Sequence, residues 1–566
     1  MYSDKENVNI LTALLVAHGV RHAIVCPGSR NAPIVHNLDA CPSIKCYPVT
    51  DERSAGFYAL GIALETRRPT VVCVTSGTAL LNLASAVAEA YYQHVPLVVV
   101  SADRPLQWID QLDGQTLPQG DALGRFVRKA VTLPMILRDE HLMVATRATP
   151  TEEPEPLKRR QEISWYCNRL VNEALLAAKQ DGGGPVHINV PLDRPLYSFT
   201  TPELPQERKI ELLSSCKTVD AAPMLQQLYA AKRPVIVIGQ LQKQEISEDV
   251  IEQLVKHRYV VLQEALSGVY AHNVPFRGVE ELARLSEKED AVVYPDFILY
   301  VGRTLVSQKL KQYLREAKDA VCWRVDERGE IADTFMNLTG VTQAKTADVL
   351  NAIDKDASLN WYDAWENIQL NVVSYQKGCS ELQYSSVLAV KKLEEIIANQ
   401  NVEEHYANSM AVRYGCLYAK HHILCNRGVN GIDGSLSTAA GSSLVTDKNV
   451  YCIIGDLSFF YDRNALWNRY LRGNLRILLL NNGGGGIFEK FSEHLQEEED
   501  ARNVMAQYFT TAEGFCADNH IEYHYADDED SLEKGLKDLT CADAKRPIVL
   551  EVRTKAKEDW ENYKLI

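Results

Sequence analysis

The sequence predicts an α/β protein built from doubly wound parallel sheets, and three observations lead to this fold class. The chain has 566 residues, which corresponds to roughly three domains at about 150 residues each. Short apolar runs alternate with longer stretches of helical spacing along the whole chain, as in sheets covered by helices on both faces. Several of these runs end directly in small or oxygen-bearing residues, as strands do at the edge where open α/β sheets bind ligands.

The overall composition limits the kinds of molecule that this protein is expected to bind and the cellular compartment in which it is expected. The net charge of −15 argues against a nucleic-acid or anionic membrane partner, because both select basic surfaces. No apolar run approaches the ~20 residues that span a bilayer, and the first ten residues lack a signal-peptide layout. The 13 cysteines are scattered without a Cys-x-x-Cys pair, which indicates neither a disulfide framework nor a zinc ribbon. We therefore expect a cytoplasmic protein with no nucleic-acid partner, no integral membrane segment and small-molecule substrates.

The first domain is predicted over residues 1–195. A helix from Asn9 to His18 precedes the predicted strands, which are Ala23–Cys26, Thr70–Val74, Pro96–Val100 and Val186–Val190. The segment 149–163 departs from this plan because it is rich in proline and charge. It predicts an exposed insertion or long loop.

The second domain is predicted over residues 205–360. Its strands are Val235–Ile238, Tyr259–Leu262, Phe297–Val301 and Cys322–Val325. Gly239 and Gly302 follow two of them, but no Gly-x-Gly-x-x-Gly motif is present. The pattern therefore favours a structural α/β domain over a dinucleotide-binding one.

The third domain is predicted over residues 375–566 and begins with an amphipathic helix at Ser385–Asn399. Two buried strands, Val450–Ile454 and Leu475–Leu480, flank a helix predicted over Phe459–Leu471, and Ile548–Val552 is the final strand. A strand–helix–strand unit implies that the two flanking strands are parallel.

Polar residues at the ends of these parallel strands predict a metal–diphosphate site. Asp456 follows the first strand and Asn482 the second, so both reach the same edge of the sheet. A carboxylate and an amide oxygen suit Mg²⁺, which takes part of its shell from phosphates. The glycines 483–486 let backbone approach such a ligand closely. The alternative is an aspartate that caps a helix, beside a glycine-rich surface turn.

Two further features point to chemistry. Glu52 lies at the start of an Ala/Gly-rich helix, where it is either a first-turn glutamate favoured by the helix dipole or a buried carboxylate at a cofactor. Arg413 and Arg427 are expected on neighbouring strand-end loops. Arginine forks bind carboxylates bidentately, so this pair indicates a dicarboxylate substrate, although each alone is more often a surface arginine.

These residues also carry a resemblance. Gly455-Asp456, with the second asparagine of an Asn-Asn pair 26 residues further on, resembles the fingerprint of thiamine diphosphate enzymes. The sequence carries Leu457 where that fingerprint usually has glycine, and it continues with the run Asn-Asn-Gly-Gly-Gly-Gly-Ile-Phe. In both features it resembles the MenD-type synthases of menaquinone biosynthesis, which join 2-oxoglutarate to isochorismate. The match continues through Gly28-Ser29-Arg30, Glu52-Arg53, Thr75-Ser76-Gly77-Thr78-Ala79, Ala102-Asp103-Arg104-Pro105 and Gly114-Gln115.

The resemblance implies an organisation and a set of cofactors. Residues 1–195 would bind the pyrimidine of thiamine diphosphate, residues 205–360 would form a central domain without nucleotide binding, and residues 375–566 would bind the diphosphate with Mg²⁺ or Mn²⁺. In related enzymes the glutamate and the diphosphate site come from different subunits. A homodimer or homotetramer with active sites at the subunit interface is therefore expected.

The resemblance also assigns residues to the reaction, in which 2-oxoglutarate is decarboxylated and its succinyl carbanion equivalent adds to isochorismate. Glu52 would activate the cofactor by hydrogen bonding N1′ of its aminopyrimidine. Further cofactor contacts are expected from Thr78, Asn408, Ser409, Ile432, Gly455, Asp456, Leu457, Ile487 and Phe488. Substrate contacts are expected from Ser29, Arg30, Arg104, Gln115, Arg413, Arg427 and Phe491. The metal ligands would be Asp456, Asn482 and the backbone carbonyl of Gly484. A basic residue of the central domain is also expected at the site, and Gln308 or Lys309 occupies its position.

Three alternatives remain at the level of sequence. The nearest is another thiamine diphosphate enzyme, of the acetolactate synthase or 2-oxo acid decarboxylase type, although most of those carry glycine where this chain has Leu457. A reductive enzyme on a doubly wound sheet is disfavoured by the missing glycine motif. A non-catalytic binding protein has no reason to keep Glu52, Asp456 and Asn482 together.

Overall fold

The computed structural model describes residues 1–136, 155–213, 221–268, 294–366, 382–489, 503–508 and 510–564. The chain divides into two compact units. Unit 1 comprises Met1–Ser215 with two short later segments, Ser437–Thr446 and Asp462–Leu471. Unit 2 comprises Cys216–Leu436, Asp447–Tyr461 and Arg472–Ile566.

Unit 1 contains one six-stranded sheet in the order β2-β1-β3-β4-β6-β5, and every strand pair in it is parallel. Its strands are β1 His22–Val25, β2 Lys45–Pro48, β3 Thr70–Val74, β4 Leu97–Asp103, β5 Lys129–Thr132 and β6 Val186–Pro191. Its helices include Glu6–Ala17, Ala32–Ala40, Glu52–Thr66, Thr78–Leu81, Ala84–Gln93 and Glu155–Ala177. The central strands β3, β4 and β6 are buried at every position, which explains why they read as continuous apolar runs. The four strands predicted here are confirmed.

The predicted long loop at 149–163 is wrong from Glu155 onward, because the helix Glu155–Ala177 begins there. Arg160 on this helix donates two hydrogen bonds to Oε2 of Glu6, at 2.9 and 2.7 Å. The charged residues that suggested a loop are also good helix formers, and the contact with the Glu6–Ala17 helix favours the helical state. Residues 149–154 lie outside the described part of the chain.

Unit 2 contains two sheets, and their strand pairs are also parallel. The five-stranded sheet has the order β11-β10-β9-β7-β8, with β7 Pro234–Ile238, β8 Val260–Gln263, β9 Phe297–Val301, β10 Val321–Val325 and β11 Leu338–Thr342. The six-stranded sheet has the order β13-β12-β14-β15-β17-β16, with β12 Val402–Tyr406, β13 Ile423–Leu424, β14 Asn449–Gly455, β15 Leu475–Asn481, β16 Glu522–Ala526 and β17 Ile548–Arg553. The predicted α/β class with three parallel sheets is confirmed, while the exact domain bounds stay a prediction.

Helices alternate with the strands of unit 2 along the chain. Those near the five-stranded sheet include Ala222–Ala230, Glu248–Lys256, Gln308–Glu316 and Thr346–Asn351. Those that follow in the chain include Ser386–Ile397, Met410–Tyr418, Asp456–Asp462, Glu513–Asp518, Glu529–Leu539 and Ala556–Lys564. The helix Ser435–Ser443 lies between them in sequence, and from Ser437 onward it belongs to unit 1. In the described ranges, no helix is both long and apolar enough to cross a bilayer.

The unit around Asp456 has the predicted order but a shorter helix. β14 and β15 pair in parallel with Gly455 opposite Leu480, so the residues that follow both strands reach one edge. The intervening α-helix is Asp456–Asp462, followed by a 3₁₀ helix at Arg463–Leu466. The predicted helix over Phe459–Leu471 is therefore confirmed as far as Leu466 and wrong beyond it. The first turn of the observed helix begins directly at the strand end, where Asp456 accepts the N–H of Leu457 at 2.7 Å.

Two other details differ from the sequence reading. β12, with the sequence VEEHY, is a fully buried strand that was not predicted because its charged residues conceal the apolar pattern. Arg413 lies on the helix Met410–Tyr418, and its placement on a strand-end loop is wrong. Arg427 does follow a strand, the two-residue β13.

Candidate active site

The carboxylate of Asp456 organises the edge of the six-stranded sheet. Its Oδ2 accepts the backbone N–H groups of Gly483 and Gly484 at 2.8 and 2.9 Å, and the residue is 5% exposed. Burial raises the pKa of Asp456 to about 6. Hydrogen bonds from the backbone N–H groups of Leu457, Gly483 and Gly484 oppose this rise. The side chain thus fixes the start of the glycine run relative to β14 while keeping acceptor capacity for a cation.

Asn482 presents an unused oxygen at the same edge. Its Nδ2 donates to Oδ2 of Asp559 at 3.1 Å, and its buried Oδ1 has no hydrogen-bond partner. Its neighbour Asn481 differs, because Oδ1 of Asn481 accepts Arg553 Nη1 at 2.7 Å and its Nδ2 donates to Glu551 at 2.6 Å. A buried amide oxygen without a partner is costly in a protein interior, and a metal ion would satisfy it.

The glycine run is shaped around these two side chains. A Cβ added at Gly486 would lie 2.6 Å from Nδ2 of Asn482, so a side chain there would displace the amide. The N–H of Gly485 donates to Met505 at 2.7 Å, and the carbonyl of Gly483 accepts Tyr508 N–H at 3.1 Å. Gly484 keeps one carbonyl lone pair beyond the bond it accepts from Gly486.

The donor set fits Mg²⁺ or Mn²⁺. One carboxylate, one amide oxygen and one backbone carbonyl are hard oxygen ligands, and such ions complete their octahedral shell with phosphate oxygens and water. Across the described ranges, no group of three or more His, Cys, Asp or Glu side chains could hold a metal. A metal at Asp456 and Asn482 would therefore depend on a ligand such as a diphosphate for the rest of its shell.

Glu52 is placed in unit 1 at the start of the helix Glu52–Thr66, after the N-cap Asp51. Asp51 accepts the N–H groups of Arg53 and Ser54 at 3.0 and 3.3 Å, so it takes the capping role. The carboxylate of Glu52 is half-buried and accepts Nδ2 of Asn82 at 3.2 Å. Asn82 was missed by the sequence reading, because a polar residue between two helices gives no distinctive signal.

The arginines of unit 1 form a cationic group. Arg30 is 7% exposed and donates to the carbonyl of Leu192 at 2.8 Å. Burial lowers the pKa of Arg30, and the positive charges of Arg104 and Arg194 lower it further. Arg104 is fixed by Asp113, at 2.7 Å. Arg194 was also missed, since it reads as an ordinary arginine between proline-containing turns.

A buried glutamine supports the hydroxyl-rich turn of unit 1. Gln119 is 1% exposed, accepts the N–H of Gly77 at 2.7 Å and donates to Asn189 at 2.8 Å. Gly77 has φ +79°, and an added Cβ would lie 3.0 Å from the side chain of Gln115. The turn before Thr78 is therefore held close to the segment that carries Gln115, as a joint cofactor or substrate site requires.

The remaining residues predicted to contact cofactor or substrate are exposed or half-buried where the structure describes them. Ser29, Thr78, Gln115 and Ile432 are exposed, whereas Ser409, Gly455, Leu457, Ile487 and Phe488 are half-buried. These side chains are accessible to a bound molecule. Phe491 lies outside the described residues.

Asn408 is buried and uses both ends of its amide within unit 2. Its Nδ2 donates to the carbonyls of Asn426 and Gly431 at 2.6 and 2.7 Å, and its Oδ1 accepts Nη1 of Arg427 at 3.1 Å. Asn408 thereby fixes the Arg427 loop. The next residue, Ser409, has φ +73°, a strained conformation of the kind that clusters at functional sites.

Arg427 occupies a junction within unit 2. It is 8% exposed, and its Nη2 donates to the carbonyl of Leu305 at 3.4 Å. Gln240, which follows β7, donates to the carbonyl of Cys425 at 2.9 Å. The ends of β7 and β9 in the five-stranded sheet therefore meet the loop after β13, which brings the central domain to Arg427.

Comparison with known proteins agrees with this geometry. The model of the "Thiamine pyrophosphate enzyme, N-terminal TPP binding domain" matches residues 6–123, the "Middle domain of thiamine pyrophosphate" matches 206–402, and the "Thiamine pyrophosphate enzyme, C-terminal TPP binding domain" matches 407–552. Fold and site thus define a thiamine pyrophosphate enzyme. The segment that matches the C-terminal domain model contains both Asp456 and Asn482.

Curated relatives narrow the class. The 2-succinyl-5-enolpyruvyl-6-hydroxy-3-cyclohexene-1-carboxylate synthase of Bacteroides thetaiotaomicron is 40% identical over 99% of this chain and 98% of its own length. Proteins of the same name from Phocaeicola vulgatus and Christiangramia forsetii are 39% and 32% identical, over 99% and 98% of this chain and 97% of their own lengths in both cases. The chain belongs to the family of 2-succinyl-5-enolpyruvyl-6-hydroxy-3-cyclohexene-1-carboxylate synthases.

Proposed function

We propose that this chain decarboxylates 2-oxoglutarate and adds the resulting succinyl unit to isochorismate, forming 2-succinyl-5-enolpyruvyl-6-hydroxy-3-cyclohexene-1-carboxylate in menaquinone biosynthesis. The observation that carries the proposal is end-to-end similarity to synthases of that product, in a chain that keeps Glu52, Asp456 and Asn482. The product named for these relatives contains a succinyl, an enolpyruvyl and a ring carboxylate, so its precursors are polyanions.

The residues present fit thiamine diphosphate with Mg²⁺ or Mn²⁺. Asp456, Asn482 and the carbonyl of Gly484 would hold the metal, and the metal would hold the diphosphate. When bound, the cofactor supplies a nucleophilic carbon and an electron sink for decarboxylation. The partly buried carboxylate of Glu52, held by Asn82, would accept a hydrogen bond from the pyrimidine and control its proton.

The cationic residues of both units support polyanionic substrates. Arg30 and Arg104 in unit 1 and Arg413 and Arg427 in unit 2 would hold carboxylates and orient them for reaction. Arg30 and Arg427 are both nearly fully buried. An anionic ligand would lower the cost of keeping their charges away from water.

A homodimer or homotetramer with active sites at the subunit interface is part of the proposal. Support comes from apolar side chains that are unusually exposed beside the unit 1 site, since Leu106, Trp108 and Leu112 are 82%, 52% and 102% exposed. Exposed apolar groups of this size are typical of surfaces that a partner covers.

The described cysteines are free thiols, which supports a reducing, cytoplasmic location.

The test is an ultraviolet assay of isochorismate loss with 2-oxoglutarate, thiamine diphosphate and Mg²⁺, in which each component is omitted in turn. Consumption that requires all four supports the proposal. Decarboxylation of 2-oxoglutarate with isochorismate untouched would mean that the acceptor is wrong. Consumption of pyruvate in place of 2-oxoglutarate would favour an acetolactate synthase-type enzyme.

A further inference from the structure

Two buried polar side chains, Asp103 and Asn189, join the ends of β4 and β6 in unit 1. Ser101 of β4 lies opposite Asn189 of β6, and Asp103 lies opposite Pro191, so all four residues share one face of the sheet. Nδ2 of Asn189 donates to Oδ2 of Asp103 at 2.8 Å. Asp103 is 4% exposed and Asn189 is 2% exposed, and a buried bond of this kind is costly to lose because water does not replace the missing partner.

Backbone N–H groups, which can only donate, fix the direction of hydrogen bonding through this pair from both sides. On one side, the N–H of Gly77 donates to Oε1 of Gln119 at 2.7 Å, so Nε2 of Gln119 is the end that faces Asn189 and donates to its Oδ1 at 2.8 Å. The nitrogen of the Asn189 amide is thereby left for Asp103. On the other side, the N–H of Arg104 donates to Oδ1 of Asp103 at 2.8 Å. Both carboxylate oxygens of Asp103 therefore accept from donors that cannot reverse.

Asp103 also connects to the two arginines of the unit 1 site. Its carbonyl oxygen accepts the N–H of Leu192 at 2.9 Å, and the carbonyl oxygen of Leu192 accepts Nη1 of Arg30 at 2.8 Å. Arg104 follows Asp103 directly in the chain. Arg30 and Arg104 are thus anchored to the two strand ends that the side chain of Asp103 joins.

Asp103 and Arg30 also favour each other's charged forms. Burial raises the pKa of Asp103. Hydrogen bonds from Asn189 and from the backbone of Arg104, followed by the charge of Arg30, oppose this rise. Burial is likewise the main cause that lowers the pKa of Arg30, and the charges of Asp113 and Asp103 oppose that change. The charge balance and the hydrogen bonds therefore both favour an acceptor carboxylate at position 103.

We infer that Asp103 is a positioning residue, which holds Arg30 and Arg104 at a fixed separation for the carboxylates of a substrate. The order of donors and acceptors along its bond to Asn189 fixes that separation, because the bond joins the strand ends from which the two arginines extend. The inference rests on the proposed function for the role of the arginines in substrate binding. Asp103 acts only through them, since both of its carboxylate oxygens are engaged within the protein.

The test exchanges the two side chains of the pair. In Asp103→Asn alone, the amide nitrogen at position 103 must face another donor, either the N–H of Arg104 or the amide of Asn189. In the double variant Asp103→Asn/Asn189→Asp, the amide at position 103 accepts from Arg104 and donates to the carboxylate at position 189. That carboxylate also accepts from Ser101 and Gln119, as Oδ1 of Asn189 does in the wild type. Every bond of the chain can therefore form again.

KM and kcat are measured for 2-oxoglutarate and for isochorismate, each with the other acid saturating. We expect Asp103→Asn to raise KM for at least one acid about tenfold or more, because displaced arginines bind carboxylates poorly, with a smaller change in kcat. The double variant should return KM to within about threefold of the wild type. Asp39→Asn, which removes an exposed charge of the same unit, is the matched control and should stay within about twofold. Unchanged KM values in Asp103→Asn, or raised values that the double variant does not recover, would overturn the inference.

Two readouts that do not depend on turnover separate this inference from the proposed function. Calorimetric titration with each acid should show weaker binding by Asp103→Asn and recovery in the double variant, and the melting temperature should follow the same order. A wild type that binds an acid without consuming isochorismate would contradict the proposed function, while the comparison of variants would still decide the inference. A wild type that binds neither acid would overturn both.

Two further outcomes concern the stability of the variants. A lower melting temperature and a lower kcat in Asp103→Asn, with KM and acid binding unchanged, would identify Asp103 as a structural residue and contradict the inference. If Asp103→Asn does not fold, the double variant decides, since it carries the same substitution. It should fold and keep KM near the wild-type value, and failure on either point would overturn the inference.

Discussion

The amide of Asn482 donates to Oδ2 of Asp559 at 3.1 Å and leaves its own buried carbonyl oxygen without a partner. Asp559 is itself 2% exposed and accepts hydrogen bonds from Ser386 and Thr554. The orientation of the Asn482 amide is thus set by a buried carboxylate 77 residues away in sequence. This contact leaves an oxygen, and not an N–H group, as the unpartnered end of the amide, at the edge of the sheet that also carries Asp456.

The two adjacent asparagines should therefore fail in different ways. We expect Asn482→Ala to lose Mg²⁺-dependent binding of thiamine diphosphate, measured by calorimetry with and without the metal, and to cost the metal-free protein less stability than Asn481→Ala, because Asp559 keeps its bonds from Ser386 and Thr554 and an unpartnered buried oxygen is removed. Asn481→Ala should lower the free energy of unfolding by about 1–3 kcal/mol, because Glu551 and Arg553 lose a buried partner. Equal loss of cofactor binding in two equally stable variants would contradict this division of roles.

Glu52 is expected to act on the cofactor and not on the fold. Glu52→Gln should keep the circular dichroism spectrum and melting temperature, since Asp51 caps the helix, and should lower turnover by about 10²-fold or more. Glu65→Gln, near the other end of the same helix, is the matched control and should retain activity. Near-wild-type turnover in Glu52→Gln would show that another group activates the cofactor.

Arg413 is expected to serve a substrate. Arg413→Ala should raise KM for a dicarboxylate by about tenfold or more while the affinity for thiamine diphosphate and Mg²⁺ stays the same, because Asp456 and Asn482 are intact. Both quantities are measured on one preparation, by kinetics and by calorimetry. A loss of cofactor affinity with unchanged KM would place Arg413 at the cofactor instead.

Close helix packing in unit 1 depends on two glycines. A Cβ on Gly61 would lie 2.0 Å from the carbonyl oxygen of Thr438, and one on Gly441 would lie 2.2 Å from that of Tyr58. Gly61→Ala and Gly441→Ala should each destabilise the protein by about 1–3 kcal/mol in urea denaturation, as overpacking does. Gly514→Ala is the control, because a Cβ there meets no atom within 4 Å and helical alanine is favoured. Similar midpoints for the three variants would contradict the close packing.

A buried acid pair in unit 2 predicts a pH-dependent stability. Burial, reinforced by the charge of Glu404, raises the pKa of Glu394 to about 8. The hydroxyl of Tyr406 donates to Glu394, and His421 lies against Glu404 at 2.5 Å. The folded chain therefore holds a proton that the unfolded chain loses near pH 4.3. This contribution to stability is complete below that pH and is lost as the pH rises through about 8.

Removing the titrating group should reverse that loss. Relative to the wild type, Glu394→Gln should gain stability between about pH 5 and about pH 8, by an amount on the order of 1–3 kcal/mol. Urea denaturation at the two pH values measures the change. The exposed neighbour Glu395 provides the control, since Glu395→Gln should show the same difference from wild type at both values. A pH-independent difference for Glu394→Gln would mean that Glu394 does not titrate in this range.

Several features of this protein could be predicted from local sequence. β3 and β9 were predicted at their observed bounds, and the strand ends at Asp456 and Asn482 were placed at one edge, because buried parallel strands are apolar at every position and stop at polar residues. The resemblance in these motifs also identified the family. The sequence failed where a segment's own composition conflicts with its environment, as in the charged strand β12 and the helix that begins at Glu155.

The sequence by itself therefore determined the fold class, the family and the residue types of the candidate site. Only the tertiary structure decided which of two adjacent asparagines keeps a free oxygen, that Arg413 lies on a helix, and that Arg427 bonds to the carbonyl of Leu305. These outcomes depend on partners distant in the chain, such as Asp559 for Asn482 and Leu305 for Arg427. The physical reason is that the satisfaction of a buried polar group is a property of its surroundings, whereas strand and helix signals are carried by neighbouring residues.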